Sequence, residues 1–357
     1  MDEQFSSKQN PARIRRRRRW LSAFFAVCFC VGVFAPAAFA QSETAAGSAE
    51  QRSLIPLGHT VGIKLFSDGL LVVNLSESTD AQGNVSPARA CGICTGDLIL
   101  EMNEEDLKST EQFQAALQEN GNRPVSLTVK RGAKILSLTA VPTSGSDGVY
   151  RLGAWVRDSM AGIGTLTYYD PQDGTFGALG HGITDVDTGQ LMPVSSGSLM
   201  PSEVVGVNKG VGGNPGELIG EFETDVNLGE LACNSSSGIF GTLQDTSLVT
   251  GEALPVASKE EVKCGKATIL ANVNGDEVEE FSIKITKISP NDSTGRDMVI
   301  RITDERLLSA TGGIVQGMSG SPIIQNGKIV GAVTHVLVSD ATKGYAILME
   351  NMLASAP

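Results

Sequence analysis

From Val149 to Pro357 the chain is a succession of short apolar runs cut by Gly, Asn, Asp and Pro. Ile163 to Tyr169, Val204 to Val207, Ala267 to Asn272, Glu280 to Ile288 and Met298 to Ile302 are examples. Runs of this length between turn formers are strands, and a string of them closes as a β-barrel or sandwich. Long amphipathic helical patterns are few. Glycine is abundant, at 41 of 357 residues, and aromatic residues make up only 5%. The expected fold class is therefore mainly β, and the length allows about two domains at roughly 100–200 residues each.

A smaller α+β module precedes this region, from Leu54 to Pro142. Val61 to Leu65 and Gly69 to Leu75 read as strands. Ser109 to Glu119 has helical spacing at Phe113, Ala116 and Leu117, and Val125 to Lys130 alternates as a strand. A turn at Arg131-Gly132 leads into a strand from Ile135 to Val141. Residues 41–53 and 143–148 are small and polar and read as linkers, which leaves 149–357 as the second domain.

Residues 1–40 read as an export signal. Lys8, Arg13 and Arg15 to Arg19 form a cationic start, an apolar stretch runs from Trp20, and Ala38-Phe39-Ala40 ends it in the small-x-small pattern of a cleavage site. The alternative is an uncleaved membrane anchor, which the length also permits. Arg18-Arg19 is a weak twin-arginine match. Either way the remainder is expected across a membrane from the cytoplasm. The first 40 residues carry +5, which leaves −17 of the total −12 for the rest. A chain that acidic is a poor nucleic-acid binder, because phosphate contacts need a basic surface. Cys91, Cys94, Cys233 and Cys264 follow the leader. One CxxC beside only three histidines is a weak metal signal, so structural thiols or a Cys233–Cys264 bridge are expected, and no metal site.

The chemistry concentrates in Gln316-Gly317-Met318-Ser319-Gly320-Ser321-Pro322. A serine between glycines in a tight turn can project its hydroxyl. The backbone N–H groups of Gly317 and Ser319 can converge on one oxyanion. Serine needs a base, and three histidines are available. His181 lies between Gly180 and Gly182, where little can pack on it, and is the expected base. His59 lies in the smaller module. His335 lies on the strand after the hairpin at Asn326-Gly327 and reads either as a wall of the substrate pocket, where it would favour Gln or Glu before the cut, or as a strand histidine hydrogen-bonded within the barrel. The carboxylate that orients the base could be Asp185, Asp187, Asp225, Asp245 or Asp304, and spacing does not choose. Acyl transfer through a serine needs no cofactor.

The module resembles a PDZ domain on Ser86-Pro87-Ala88, Gly92-Ile93 and the run from Gly96-Asp97 to Asn103. PDZ domains bind an extended peptide by adding it as a strand beside a helix. By that resemblance Leu57, Gly58, His59 and Thr60 form the loop that holds the peptide end. The segment after Ser319 resembles that of chymotrypsin-like peptidases, where Gly-x-Ser-Gly-small-Pro holds the nucleophile. Together with Ala178-Leu179-Gly180-His181-Gly182, Gly331 to Val336 and Gly344-Tyr345, these features resemble the SpoIVB peptidases of endospore-forming bacteria over residues 54–357.

The resemblance implies a PDZ-like domain followed by a chymotrypsin-like β-barrel serine peptidase, with His181, Asp304 and Ser319 as the triad. It also implies secretion into the space between the two forespore membranes, self-cleavage, and cleavage of a membrane-bound regulatory protein. Stress peptidases of the HtrA type place the catalytic domain first. A tail-specific peptidase pairing Ser319 with Lys343 would leave His181 unexplained. A non-catalytic PDZ scaffold would have no need of Ser319, His181 and Asp304 together.

Overall fold

The computed structural model describes residues 52–76, 78–80, 83–290, 292 and 294–357. The expected leader and most of the first linker lie outside the described residues. Among the described residues no helix is long and apolar enough to cross a membrane.

The fold is mainly β and rests on two barrels. The second barrel is the simpler one. Strands Gly265–Asn272, Val278–Ile288, Met298–Ile302, Lys343–Leu348, Lys328–Val336 and Pro322–Gln325 pair in that order, and the last closes onto the first. Alternate residues of these strands point inward, so Ile269, Phe281, Ile283, Ile285, Ile300 and Val330 fill the interior. The Asn-Gly turn predicted at Asn326-Gly327 joins two of the strands, with Asn326 at φ 53° and Gly327 at φ 73°.

The first barrel closes less obviously. Two strands of 16 residues, Thr60–Leu75 and Ala154–Tyr169, lie antiparallel. The later one pairs onward with Thr175–Ala178, then Gly238–Leu243, Gly229–Ser235 and Ser196–Asn208, which returns to Thr60–Leu75. Six strands thus form a ring around Val61, Ile63, Leu65, Leu166, Phe176, Leu199 and Ile239. Leu54, Tyr168, Phe240, Ile329, Ala332 and Ile347 pack between the two barrels.

The two long strands outrun the ring. Their register breaks between Arg157 and Ser159, where the partner jumps from Leu71 to Phe66. Beyond that bulge they continue as a ribbon into the α+β module. There Leu70 and Leu71 pair with Leu98–Met102, followed by Val125–Arg131 and Lys134–Ala140. The helix Thr110–Asn120, capped by Ser109, buries Phe113 and Leu117 against this sheet. Ser53 to Phe66, which the sequence groups mostly with the PDZ-like module, are therefore paired as part of the first barrel.

All four cysteines outside the leader are free thiols, so the expected Cys233–Cys264 bridge is absent. Cys233 lies half-buried at the packing between the barrels and Cys264 is exposed at the start of a strand of the second.

Candidate active site

Ser319 sits in the turn that leads into Pro322–Gln325. Gly317 and Gly320 hold φ of 97° and 103°, a region open to glycine. A Cβ on Gly320 would stand 2.1 Å from the Thr165 carbonyl oxygen, so no larger residue fits. The turn is fastened to the other barrel. Thr165 donates its N–H to the Ser319 carbonyl at 3.0 Å and its hydroxyl to the Gly317 carbonyl at 2.7 Å. These bonds hold the Gly317 and Ser319 peptide units fixed. Among the described residues, the N–H groups of Gly317 and Ser319 donate to no protein acceptor.

His181 follows the strand Thr175–Ala178 through a turn in which Leu179 has φ 69° and Gly180 φ 67°. A leucine in this region is strained. The Leu179 N–H bonds the Thr165 carbonyl, so the residue that fastens the serine turn also helps hold the histidine turn. His181 Nδ1 lies 2.9 Å from the Gly182 carbonyl oxygen. A carbonyl only accepts, so Nδ1 carries the proton, and in the neutral ring Nε2 keeps its lone pair. Burial pushes His181 below its ordinary value, against the smaller upward pull of the Gly182 bond.

His335 packs its ring on His181, with centroids 4.8 Å apart and planes tilted by 35°. Burial first, and then the neighbouring His181 and Arg296, push His335 down to about 4. Both rings are therefore neutral at pH 7. His335 Nδ1 is buried with no protein partner among the described residues. Its neighbour Thr334 offers a carbonyl that accepts the Ser319 hydroxyl at 2.6 Å. A cavity of about 610 Å³ opens on this group, bounded by Ile163, His181, Leu191, Gly317, Ser319 and His335.

The structure thus brings together four of the residues singled out from sequence, namely His181, Gly317, Ser319 and His335, and separates the rest. Asp304 is a correction. It caps the helix Glu305–Thr311, and its oxygens accept from the N–H groups of Ser282 and Arg306 and from the Arg306 guanidinium. Neither oxygen bonds His181. Asp185 is also spoken for, by Arg157 and by Thr188, and Asp187 pairs with Arg157. Asp225 and Asp245 are exposed. The Gly182 carbonyl occupies the place expected for a carboxylate.

Leu57 to Thr60 is the second correction. The Leu57 and Gly58 N–H groups donate to the carbonyls of Thr167 and Leu166. The Gly58 carbonyl accepts from Asn272 of the second barrel, and the His59 carbonyl from Leu166. With these donors taken and Leu57 and Thr60 buried, the loop cannot hold a peptide terminus. Thr165 and Thr334 went unnoticed in the sequence. A threonine inside a strand gives no local signal, and only strand pairing shows what each one faces.

The family model described as SpoIVB peptidase S55 matches residues 148–353, more than half of the chain. The chain belongs to the SpoIVB peptidase S55 family. It is a serine peptidase, a hydrolase, and the PDZ-domain model that matches residues 83–131 places a PDZ domain ahead of the family's region. Peptidases and PDZ domains act on proteins and peptides in general. Over 68 residues the chain is also 34% identical to a putative zinc metalloprotease of Clostridium perfringens, across 19% of this chain and 20% of that one. The chain thus spans about a fifth of the length of that curated relative. Among solved structures, the active form of the Rv3671c protease of M. tuberculosis aligns at 14% identity and a TM-score of 0.33, over 56% of this chain and 73% of that one. A PDZ domain from Listeria monocytogenes aligns at 23% identity and a TM-score of 0.21, over 25% of this chain and 87% of that one.

Proposed function

We propose that the chain is an exported endopeptidase in which Ser319 attacks the scissile carbonyl and His181 Nε2 takes the hydroxyl proton. The observation that carries this is the His181 tautomer. The Gly182 carbonyl fixes the proton on Nδ1, and burial keeps the ring neutral, so Nε2 is a competent base at neutral pH. The Ser319 hydroxyl now donates to the Thr334 carbonyl, so attack begins with its rotation from that oxygen to His181. Catalytic hydrogen bonds are commonly looser before substrate binds. The free N–H groups of Gly317 and Ser319 are suited to receive the oxyanion. Collapse of the tetrahedral intermediate breaks the C–N bond, and His181 returns its proton to the leaving amine. Water then hydrolyses the acyl-enzyme by the same route.

His335 borders the cavity, where its ring walls the place proposed for the substrate residue before the cut. By family membership the substrates proposed are the chain itself and a membrane-bound regulatory protein of late sporulation, met in the space between the forespore membranes. The decisive experiment incubates the full chain and its Ser319→Ala variant and follows mass over time. Specific fragments from the parent chain alone are the expected result. Equal fragmentation of both would remove Ser319 from the mechanism.

A further inference from the structure

His181 is oriented by the Gly182 carbonyl, and glycine is the residue whose flanking peptide units turn most freely. A carbonyl that can swing away fixes no tautomer, so the Gly182 carbonyl must itself be held. Its peptide unit ends in the N–H of Ile183, which points the opposite way across the same plane. That N–H donates to Asn234 Oδ1 at 2.8 Å. The bonds run in series, from His181 Nδ1 to the Gly182 carbonyl, across the peptide unit to the Ile183 N–H, and on to Asn234. Each bond polarises the next, so the carbonyl that faces the ring is both fixed in direction and strengthened as an acceptor.

Asn234 is held in turn. It lies near the end of the strand Gly229–Ser235, opposite Ile239 of Gly238–Leu243. Its Nδ2 donates to the carbonyls of Ile183 at 2.8 Å and Met192 at 2.9 Å. The oxygen of the carboxamide meets an N–H and its nitrogen meets two carbonyls, so the group fits in one orientation only. The Met192 N–H also donates to the Ile183 carbonyl. The loop from Ile183 to Met192 is thus closed at its neck, and Thr184, Gly189 and Leu191 within it line the cavity. A Cβ on Gly182 would run into the Ser235 carbonyl, so the chain passes this close to the strand only as glycine.

We propose that Asn234 is a positioning residue of the peptidase site, doing through one peptide unit what a carboxylate would do by direct contact. Its carboxamide sets the direction of the Gly182 carbonyl. That carbonyl keeps the His181 proton on Nδ1, and Nε2 keeps the lone pair that takes the Ser319 proton. Asn234 itself meets no reacting atom. This role rests on the reading of His181 as the base.

The test has a spectroscopic arm and a kinetic arm, both on the full chain. Ring-nitrogen NMR of the isotopically labelled Ser319→Ala chain reads the tautomer of each of the three histidines, with the His181 signals assigned by His181→Gln. With Asn234 in place, His181 is expected as the Nδ1–H tautomer, and Asn234→Ala should move it toward the Nε2–H tautomer. In chains that keep Ser319, the rate at which a fluorophosphonate labels that hydroxyl at neutral pH should fall at least about tenfold in Asn234→Ala, a fraction of the roughly 10²–10⁴ that a positioned base contributes. The concentration giving half the maximal rate should change little. If Asn234→Ala leaves either the tautomer or the labelling rate unchanged, the proposal is overturned and His181 remains the base. Slower labelling with the tautomer intact would make Asn234 a staple for the cavity loop and nothing more. An Nε2–H tautomer, or no labelling, in the chain with Asn234 intact would instead strike the reading of His181 and Ser319, and this role with it. If Asn234→Ala does not fold, Asn234→Ser gives the same comparison, with one hydroxyl donor in place of two amide donors.

Discussion

The base proposed at His181 is oriented by a backbone carbonyl and not by a carboxylate, which sets different expectations for the triad pair and for Asp304. Ser319→Ala and His181→Ala should each lower kcat/KM for a soluble peptide by roughly 10⁴-fold or more, and the double variant should lose little beyond either single one, because the two act as a unit. Asp304→Ala should behave differently. It removes a helix cap, so it should lower stability by about 1 kcal/mol while kcat/KM and its pH profile keep their form. Urea unfolding alongside kinetics checks both. His181 and His335 also set an acid dependence. Their folded values lie below the ordinary imidazole value of 6.5, with His335 at about 4. Between those pH values the unfolded chain binds more protons than the folded one. Stability is therefore full above pH 6.5 and declines as pH falls toward about 4. His335→Gln should make that decline shallower when melting temperatures at pH 7, 5.5 and 4 are compared. The residues that sequence picks out well are those whose backbone is unusual. Glycines on both sides of Ser319 and of His181 mark turns that present a side chain. Asp304 is named by the family resemblance and not by spacing, and a capping aspartate in sequence is indistinguishable from one that faces a histidine.

The strand Ala154–Tyr169 carries more than any other element. One end is the sheet edge that faces the helix Thr110–Asn120, and the other fastens both site turns through Thr165. Thr165→Val keeps the shape and the backbone bonds and removes only the hydroxyl that donates to Gly317. It should leave the chain folded and lower kcat with KM little changed, by about fivefold for one net hydrogen bond near 1 kcal/mol. An unchanged kcat would mean that the backbone bond to Ser319 holds the turn alone. The turn rhythm along the sequence announces strands of this kind and a barrel or sandwich made from them, but not that there are two barrels. The pairing does not follow. Thr60–Leu75 reads as two short strands of one small module, because nothing local reveals that its first half bonds to residues about 100 and 135 positions later. The error over Leu57 to Thr60 has the same origin. Neighbours in sequence were grouped as neighbours in space.

At the scale of the whole molecule, the PDZ domain is spliced into the first barrel at the far end of two of its strands. Removing residues 54–142 would therefore delete a barrel strand along with the module, and such a chain should be insoluble or unfolded, as circular dichroism and gel filtration would show. The splice also bears on the order of events during synthesis. Thr60–Leu75 emerges long before either strand that flanks it in the barrel. At roughly 5–20 residues per second, it waits several seconds with open edges. In that interval the PDZ domain can collapse, and the pairing of Leu75 with Ala154 is then made at its border. Register would pass inward from there. A strand displaced by one residue turns every side chain to the opposite face. A single deletion among Ser67 to Gly69, outside the lining of the cavity, would then point Thr165 away from Gly317. The timing and loop lengths of a binding module thus decide whether a nucleophile on the other barrel is ever held in place.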